Sequence, residues 1–152
     1  MDTRQEKRKP PIIGSAQHAV DAKGRLIIPA RWRVGIGADL YVTPNPDGAL
    51  VVMTEEEFQT MQQKALDAPV SEEDRSGFQR FLASSTQVTQ MDRQGRINLN
   101  EATLNRGGIR AGDEVVLNGK ISRFEIYSLE RWGQVQAHLK RSFDNVSQQI
   151  GL

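Results

Sequence analysis

The chain has 152 residues, of which 38% are hydrophobic, a share that suits one compact domain or two small fused units better than a single large core. Its net charge of +1 gives the whole molecule no attraction for a polyanion, so a nucleic-acid partner has to be read from where the charges sit. Cysteine is absent, which excludes disulfides and thiolate metal sites and fits a reducing cytosol, and no apolar run is long enough to span a bilayer.

In chain order, residues 1–12 read as a basic flexible extension carrying Arg4, Lys7, Arg8 and Lys9, without the apolar stretch of a signal peptide. The expectation is a soluble cytoplasmic protein. Residues 15–62 follow as a first β-rich unit. A short strand (Gln17–Val20) enters the turn Asp21-Ala22-Lys23-Gly24 and leaves as a second strand (Arg25–Ile28). Period two puts Leu26 and Ile28 on one face and Arg25 on the other, so the arginine should point outward. Two more strands are joined through Pro44-Asn45-Pro46-Asp47-Gly48, a strong turn signal. A helix then starts at Thr54, with Glu57 completing a capping box and Phe58, Met61, Ala65 and Leu66 along one stripe.

Residues 63–84 form a linker and helix. Asp67-Ala68-Pro69-Val70 breaks the first helix, and Ser71 caps another that carries Phe78, Phe81 and Leu82 at helical spacing and should pack against the sheet. From Thr54 to Asp74 seven acids face only Lys64, whereas from Asp21 to Arg33 four cations face only Asp21. A nearly neutral chain therefore has a basic region and an acidic one.

The second half repeats the first. Asp21-Ala22-Lys23-Gly24-Arg25-Leu26 matches Asp92-Arg93-Gln94-Gly95-Arg96-Ile97 at an offset of 71, and the match resumes at an offset of 74, where Leu50 to Thr54 meets Phe124 to Ser128 and Phe58 meets Trp132. Residues 85–128 are thus a second β-rich unit, with strands Gln87–Met91 and Arg96–Leu99 and a turn opening at Asn118-Gly119. Residues 129–152 read as a C-terminal helix and tail. The helix begins at Ser128, carries Trp132, Val135 and Leu139, and has Arg131 in place of the capping acid, while the stretch from Ser142 to Leu152 is expected to fray.

The Asp-x-x-Gly-Arg turn has a physical logic. The aspartate accepts from turn amides, the glycine takes positive φ at little cost, and the arginine four residues on can pair with the aspartate. An arginine ordered in this way on a β-ribbon suits the major groove, where it can bind guanine O6 and N7. One such turn is also an ordinary surface bend, and duplication can preserve it for folding alone. Against catalysis, His18 and His138 lack metal-ligand spacing and a nucleophile, and no Walker loop is present. No catalytic residue, metal or cofactor is expected.

The run His18-Ala19-Val20-Asp21-Ala22-Lys23-Gly24-Arg25-Leu26-Ile27-Ile28-Pro29-Ala30-Arg31-Trp32-Arg33, with the weaker copy Met91-Asp92-Arg93-Gln94-Gly95-Arg96-Ile97, resembles the MraZ family, tandem relatives of the AbrB-type regulators. The resemblance runs from about Ile13 to Leu139. It implies an α+β fold in which two β-rich repeats interleave as a swapped-hairpin β-barrel with flanking helices. It also implies a ring of several protomers, located in the cytoplasm at the nucleoid, that binds double-stranded DNA at direct repeats in the promoter of the cell-division and cell-wall gene cluster. No membrane or small-molecule partner is expected. The DNA-reading residues would be Arg25 and Arg96 with Lys23 and Arg93 beside them, and Asp21, Gly24, Asp92 and Gly95 would orient the turns. Arg31 and Arg33 are open to two readings, phosphate contact or packing. The sequence departs from the family at Asn98-Leu99-Asn100, where an apolar pair and a proline are usual, so the second turn is expected to be less rigid. The alternative function is that of an antitoxin-like or scaffold AbrB relative acting through protein contacts.

Overall fold

The computed structural model describes residues 9–152 and is α+β: a mostly antiparallel sheet flanked by helices. The first repeat supplies β1 (Ser15–Ala19), β2 (Arg25–Ile27), a 3-10 turn (Ala30–Trp32), β3 (Asp39–Pro44), β4 (Leu50–Thr54) and α1 (Glu55–Asp67), and is followed by α2 (Glu72–Ser85). The second supplies β5 (Gln87–Gln90), β6 (Arg96–Asn98), α3 (Glu101–Arg106), β7 (Glu114–Gly119), β8 (Phe124–Ser128) and α4 (Leu129–Ile150).

The repeats interleave. One sheet runs β1-β7-β8-β4-β3-β5, and a separate two-stranded ribbon pairs β2 with β6. β1 of the first repeat lies on β7 of the second, and β5 of the second lies on β3 of the first, an exchange that treats the two halves alike. The swapped-hairpin arrangement that the resemblance implies is the one observed: beyond the turn each strand leaves for a partner in the other repeat. The exchange lets the inward residues of both ribbon strands, Leu26 and Ile97, join Ile28, Leu99, Val42, Val52, Val115, Leu117 and Ile126 in one fully buried core. Neither repeat could build that core by itself.

Helix starts follow the side chains that can satisfy free amides. Thr54 accepts from the amide of Glu57, Ser71 from that of Asp74, and Ser128 from that of Arg131. Glu57 does not complete a capping box, because its carboxylate pairs instead with Arg123 on the β7–β8 turn. Without a capping acid at Arg131 the start of α4 is still capped by Ser128, and Arg131 is used elsewhere, donating from Nε to the carbonyl of Asp47 at 2.6 Å. Asn100, the departure from the family pattern, caps α3 by accepting from Thr103 at 2.8 Å, so the segment after β6 is held by a helix start where a proline would have stiffened it.

Several expectations change. Asn118 and Gly119 belong to β7, and the turn is Lys120 to Arg123 with Ile121 at φ +68°. Gly119 is needed because the backbone of Ile12 passes over it, and an added Cβ would lie 2.5 Å from the Ile12 carbonyl oxygen. Ile12 pairs with Ile121, which ties that end of the expected extension to the sheet, while residues 1–8 of the extension lie outside the described residues. The stretch expected to fray after Ser142 is the last turns of α4, which ends at Gly151 with φ +75°. On α2 only Leu82 of the expected apolar trio is buried, and Phe78 and Phe81 remain exposed. No helix among the described residues is long and apolar enough to cross a membrane.

Candidate nucleic-acid interface

The two Asp-x-x-Gly-Arg turns adopt the same geometry. In the first, Asp21 Oδ1 accepts from the amides of Lys23 (2.9 Å) and Arg25 (2.8 Å), and Oδ2 accepts from Arg25 Nε at 2.7 Å. In the second, Asp92 Oδ1 accepts from the amides of Gln94 and Arg96, both at 2.9 Å, and Oδ2 from Arg96 Nε at 2.8 Å. The amide of Arg25, and then its guanidinium, hold Asp21 below the usual carboxylate range, and Arg96 does the same for Asp92. The second turn is therefore as tightly bonded as the first, contrary to the expectation drawn from Asn98-Leu99-Asn100.

Both bends turn on a buried glycine with φ near +80°. Gly24 sits against the other repeat, with its carbonyl accepting from Leu99 at 2.8 Å, and Gly95 accepts from Ile28 at 2.9 Å. Each turn is thereby fastened to the exit strand of its counterpart. Arg33 lies over Gly95 and donates from Nε to the carbonyl of Ile28 at 2.9 Å, a packing position, whereas Arg31 lies beside Gly14 and is exposed.

The ribbon register brings the two arginines together. Arg25 stands opposite Asn98 and Ile27 opposite Arg96, so these four side chains share the outward face while Leu26 and Ile97 fill the inward one. From a rise of ~3.4 Å per residue and ~5 Å between strands, Arg25 and Arg96 lie about 8 Å apart at Cα. Their side chains are 33% and 26% exposed. Only Nε of each is bonded to its aspartate, and among the described residues no protein acceptor meets the Nη atoms of either arginine. Lys23 and Arg93 are both exposed, but they occupy non-equivalent positions, the third residue of one turn and the second of the other.

Sequence reasoning missed Ile27 and Asn98 as members of this face. Their alternation with Leu26 and Ile97 signals an outward position, but only the pairing of β2 with β6 shows that they lie beside the opposite arginine. No group of His, Asp or Glu capable of holding a metal occurs among the described residues.

A duplicated chain whose halves exchange strands into one barrel, with an aspartate-held arginine at a glycine bend in each half, defines a swapped-hairpin β-barrel of the AbrB-like kind. The model of the family described as "MraZ protein, putative antitoxin-like" matches the chain twice, over residues 12–81 and 82–150. Proteins named Transcriptional regulator MraZ are similar along most of their length. That of Natranaerobius thermophilus is 31% identical over 139 residues, covering 91% of this chain and 96% of its own. Those of Ligilactobacillus salivarius and Desulforamulus reducens are 33% and 36% identical over the same length, with the same coverage of both chains. The chain belongs to the MraZ family of transcriptional regulators.

Proposed function

We propose that this protein binds double-stranded DNA sequence-specifically through the outward face of the β2–β6 ribbon. Arg25 and Arg96 read base edges, Lys23 and Arg93 contact phosphates, and Asp21, Gly24, Asp92 and Gly95 hold the turns in place. The observation that carries this reading is the pair of guanidiniums on one ribbon face, each fixed at Nε by its own aspartate with both Nη atoms still available. A guanidinium held in this way has lost its rotational freedom before it meets DNA, and it keeps the two-pronged edge that matches guanine O6 and N7.

One ribbon face makes few contacts, so a single protomer binds weakly. A ring of copies presenting successive faces to direct repeats makes later contacts intramolecular and raises avidity by roughly 10² to 10⁴. In this reading the ring sits at the nucleoid, on direct repeats in the promoter of the cell-division and cell-wall gene cluster. The similarity to proteins named as transcriptional regulators supports it.

The test is fluorescence anisotropy with a repeat-containing promoter fragment across a salt series. Arg25→Ala is expected to weaken binding about 5- to 150-fold and to relax base preference, while Lys23→Ala weakens all sequences alike and lowers the salt slope by about one. Undiminished binding by the Arg25→Ala, Arg96→Ala double variant refutes the reading. The antitoxin-like alternative keeps one supporting observation, the exposed apolar surface on the acidic helices. It predicts that the same double variant is indistinguishable from wild type in its protein contacts and its regulation alike.

A further inference from the structure

The β2–β6 ribbon has an approximate twofold axis through its central pair, Leu26 and Ile97. Half a turn about that axis exchanges the strands, taking Arg25 onto Arg96 and Ile27 onto Asn98, the same correspondence that the offset of 71 gives in the sequence. The two turns obey this symmetry bond for bond. The residues beside the arginines break it. Arg25 stands opposite an amide, Asn98, and Arg96 opposite a hydrocarbon, Ile27.

A face with a true twofold would bind a duplex equally well either way round, and its site would be its own inverted copy. Direct repeats call for a face with one direction. The cations at the turns supply little of it, because Lys23 and Arg93 give one to each turn and phosphates carry no sequence. Ile27 and Asn98 differ in kind, and they lie on the face where base edges would be met.

Both side chains are free and held in place. Ile27 is 45% exposed. A lone exposed isoleucine is ordinary, but this one is the apolar member of a quartet otherwise made of two guanidiniums and an amide. Its branched Cβ restricts it to few rotamers. Asn98 is exposed, and its backbone carbonyl accepts from Gln87 Nε2 at 2.9 Å and from Thr89 Oγ1 at 3.0 Å. Its Nδ2 donates to the Lys23 carbonyl at 3.4 Å, which leaves a second hydrogen, and among the described residues no protein donor meets its Oδ1. In the major groove a free asparagine amide matches adenine N6 and N7, and a hydrocarbon matches the methyl group of thymine. The roughly 8 Å between the arginines covers about two base-pair steps of ~3.4 Å, so all four side chains fall within one short site.

We infer that Ile27 and Asn98 give the ribbon its direction on DNA: Asn98 takes an adenine beside the guanine read by Arg25, and Ile27 takes the methyl of a thymine beside the guanine read by Arg96. This rests on the functional reading above and names the bases that the same face distinguishes.

The test is selection of binding sites from a fully randomised duplex pool, read by sequencing, for wild type, Ile27→Asn and Asn98→Ile. Wild type is expected to enrich a unit that is not its own inverted copy, with adenine beside one guanine and thymine beside the other. Ile27→Asn makes the two ends of the face alike and should enrich an inverted unit with adenine beside both guanines. Asn98→Ile should enrich one with thymine beside both. A second measurement changes the DNA and leaves the protein intact, so it decides even if a variant fails to fold. Replacing the selected thymine by uracil removes only the methyl group and should weaken wild-type binding about fourfold. Folded Ile27→Asn should bind the thymine and uracil duplexes alike. An inverted wild-type unit, an Ile27→Asn unit identical to that of wild type, or equal binding of the two duplexes by wild type overturns the inference. Arg25→Ala separates it from the reading on which it rests. If wild type enriches no unit, or folded Arg25→Ala keeps both guanines, base reading by the arginines is itself refuted. If the guanines depend on Arg25 but their neighbours are indifferent to Ile27 and Asn98, only the direction assigned to these two residues is refuted.

Discussion

Gly24 and Gly95 occupy equivalent bends at nearly the same φ, yet a methyl group added to each should have different consequences. The left-handed conformation costs an alanine about 1–2 kcal/mol at either site. At Gly24 the new Cβ would lie 2.4 Å from the carbonyl oxygen of Leu99, a backbone atom whose own amide donates to Gly24, so the ribbon itself must shift. Overpacking of that kind adds about 1–3 kcal/mol, giving about 2–5 kcal/mol in all. At Gly95 the nearest atom is Cζ of Arg33 at 2.0 Å, the far end of a flexible side chain. It can swing aside at the loss of its bond to Ile28, about 1 kcal/mol, for a total of about 2–3 kcal/mol. Urea denaturation at one protein concentration measures both variants. In an Arg33→Ala background Gly95→Ala should cost only the backbone strain, whereas Gly24→Ala should cost the same as before. Equal losses at the two glycines, or no coupling between Arg33 and Gly95, would refute the reasoning.

Two further outcomes follow from the turns. Asp21 and Asp92 are held below their ordinary value of 3.8, so they stabilise the fold above that value and lose the contribution as pH falls through their lowered native values. Below about pH 4 the urea midpoint of wild type should therefore drop more steeply than that of the Asp21→Asn, Asp92→Asn double variant, and parallel curves would exclude the linkage. Ile121, exposed and at φ +68°, carries backbone strain without packing in return. Ile121→Gly should raise stability by about 1 kcal/mol in the same assay, and a destabilised variant would place a role on its side chain.

Whatever rests on local chemistry was readable before the fold. The duplication, the Asp-Gly-Arg bends, the caps at Thr54, Ser71 and Ser128, the break at Pro69 and the inward set Leu26, Ile28, Ile97 and Leu99 all express themselves within a few residues. Pairing between distant strands does not. Nothing in Arg25-Leu26-Ile27 states that its neighbour is Arg96-Ile97-Asn98, and so the juxtaposition of the two arginines needs either the structure or a known relative. Residues with two competing uses were also hard to assign. Glu57 has the spacing of a capping acid but meets Arg123, and Asn118-Gly119 has the composition of a tight turn but serves the passage of Ile12. The end of α4 is not legible in the sequence because its apolar residues have no partner within the chain, and burial is what ordinarily confirms a helical stripe.

The register of β1 against β7 joins Ser15 to Asn118 and His18 to Val115, so β1 leaves the ribosome with no mate until most of the polypeptide has followed it. Such distant pairing slows folding and denies independence to the amino-terminal half. A product truncated before residue 96 lacks one side of the ribbon altogether. Prematurely terminated chains thus cannot display half of the proposed recognition surface and compete with finished protein, a safeguard that two repeats folding separately, like beads on a string, would not have provided.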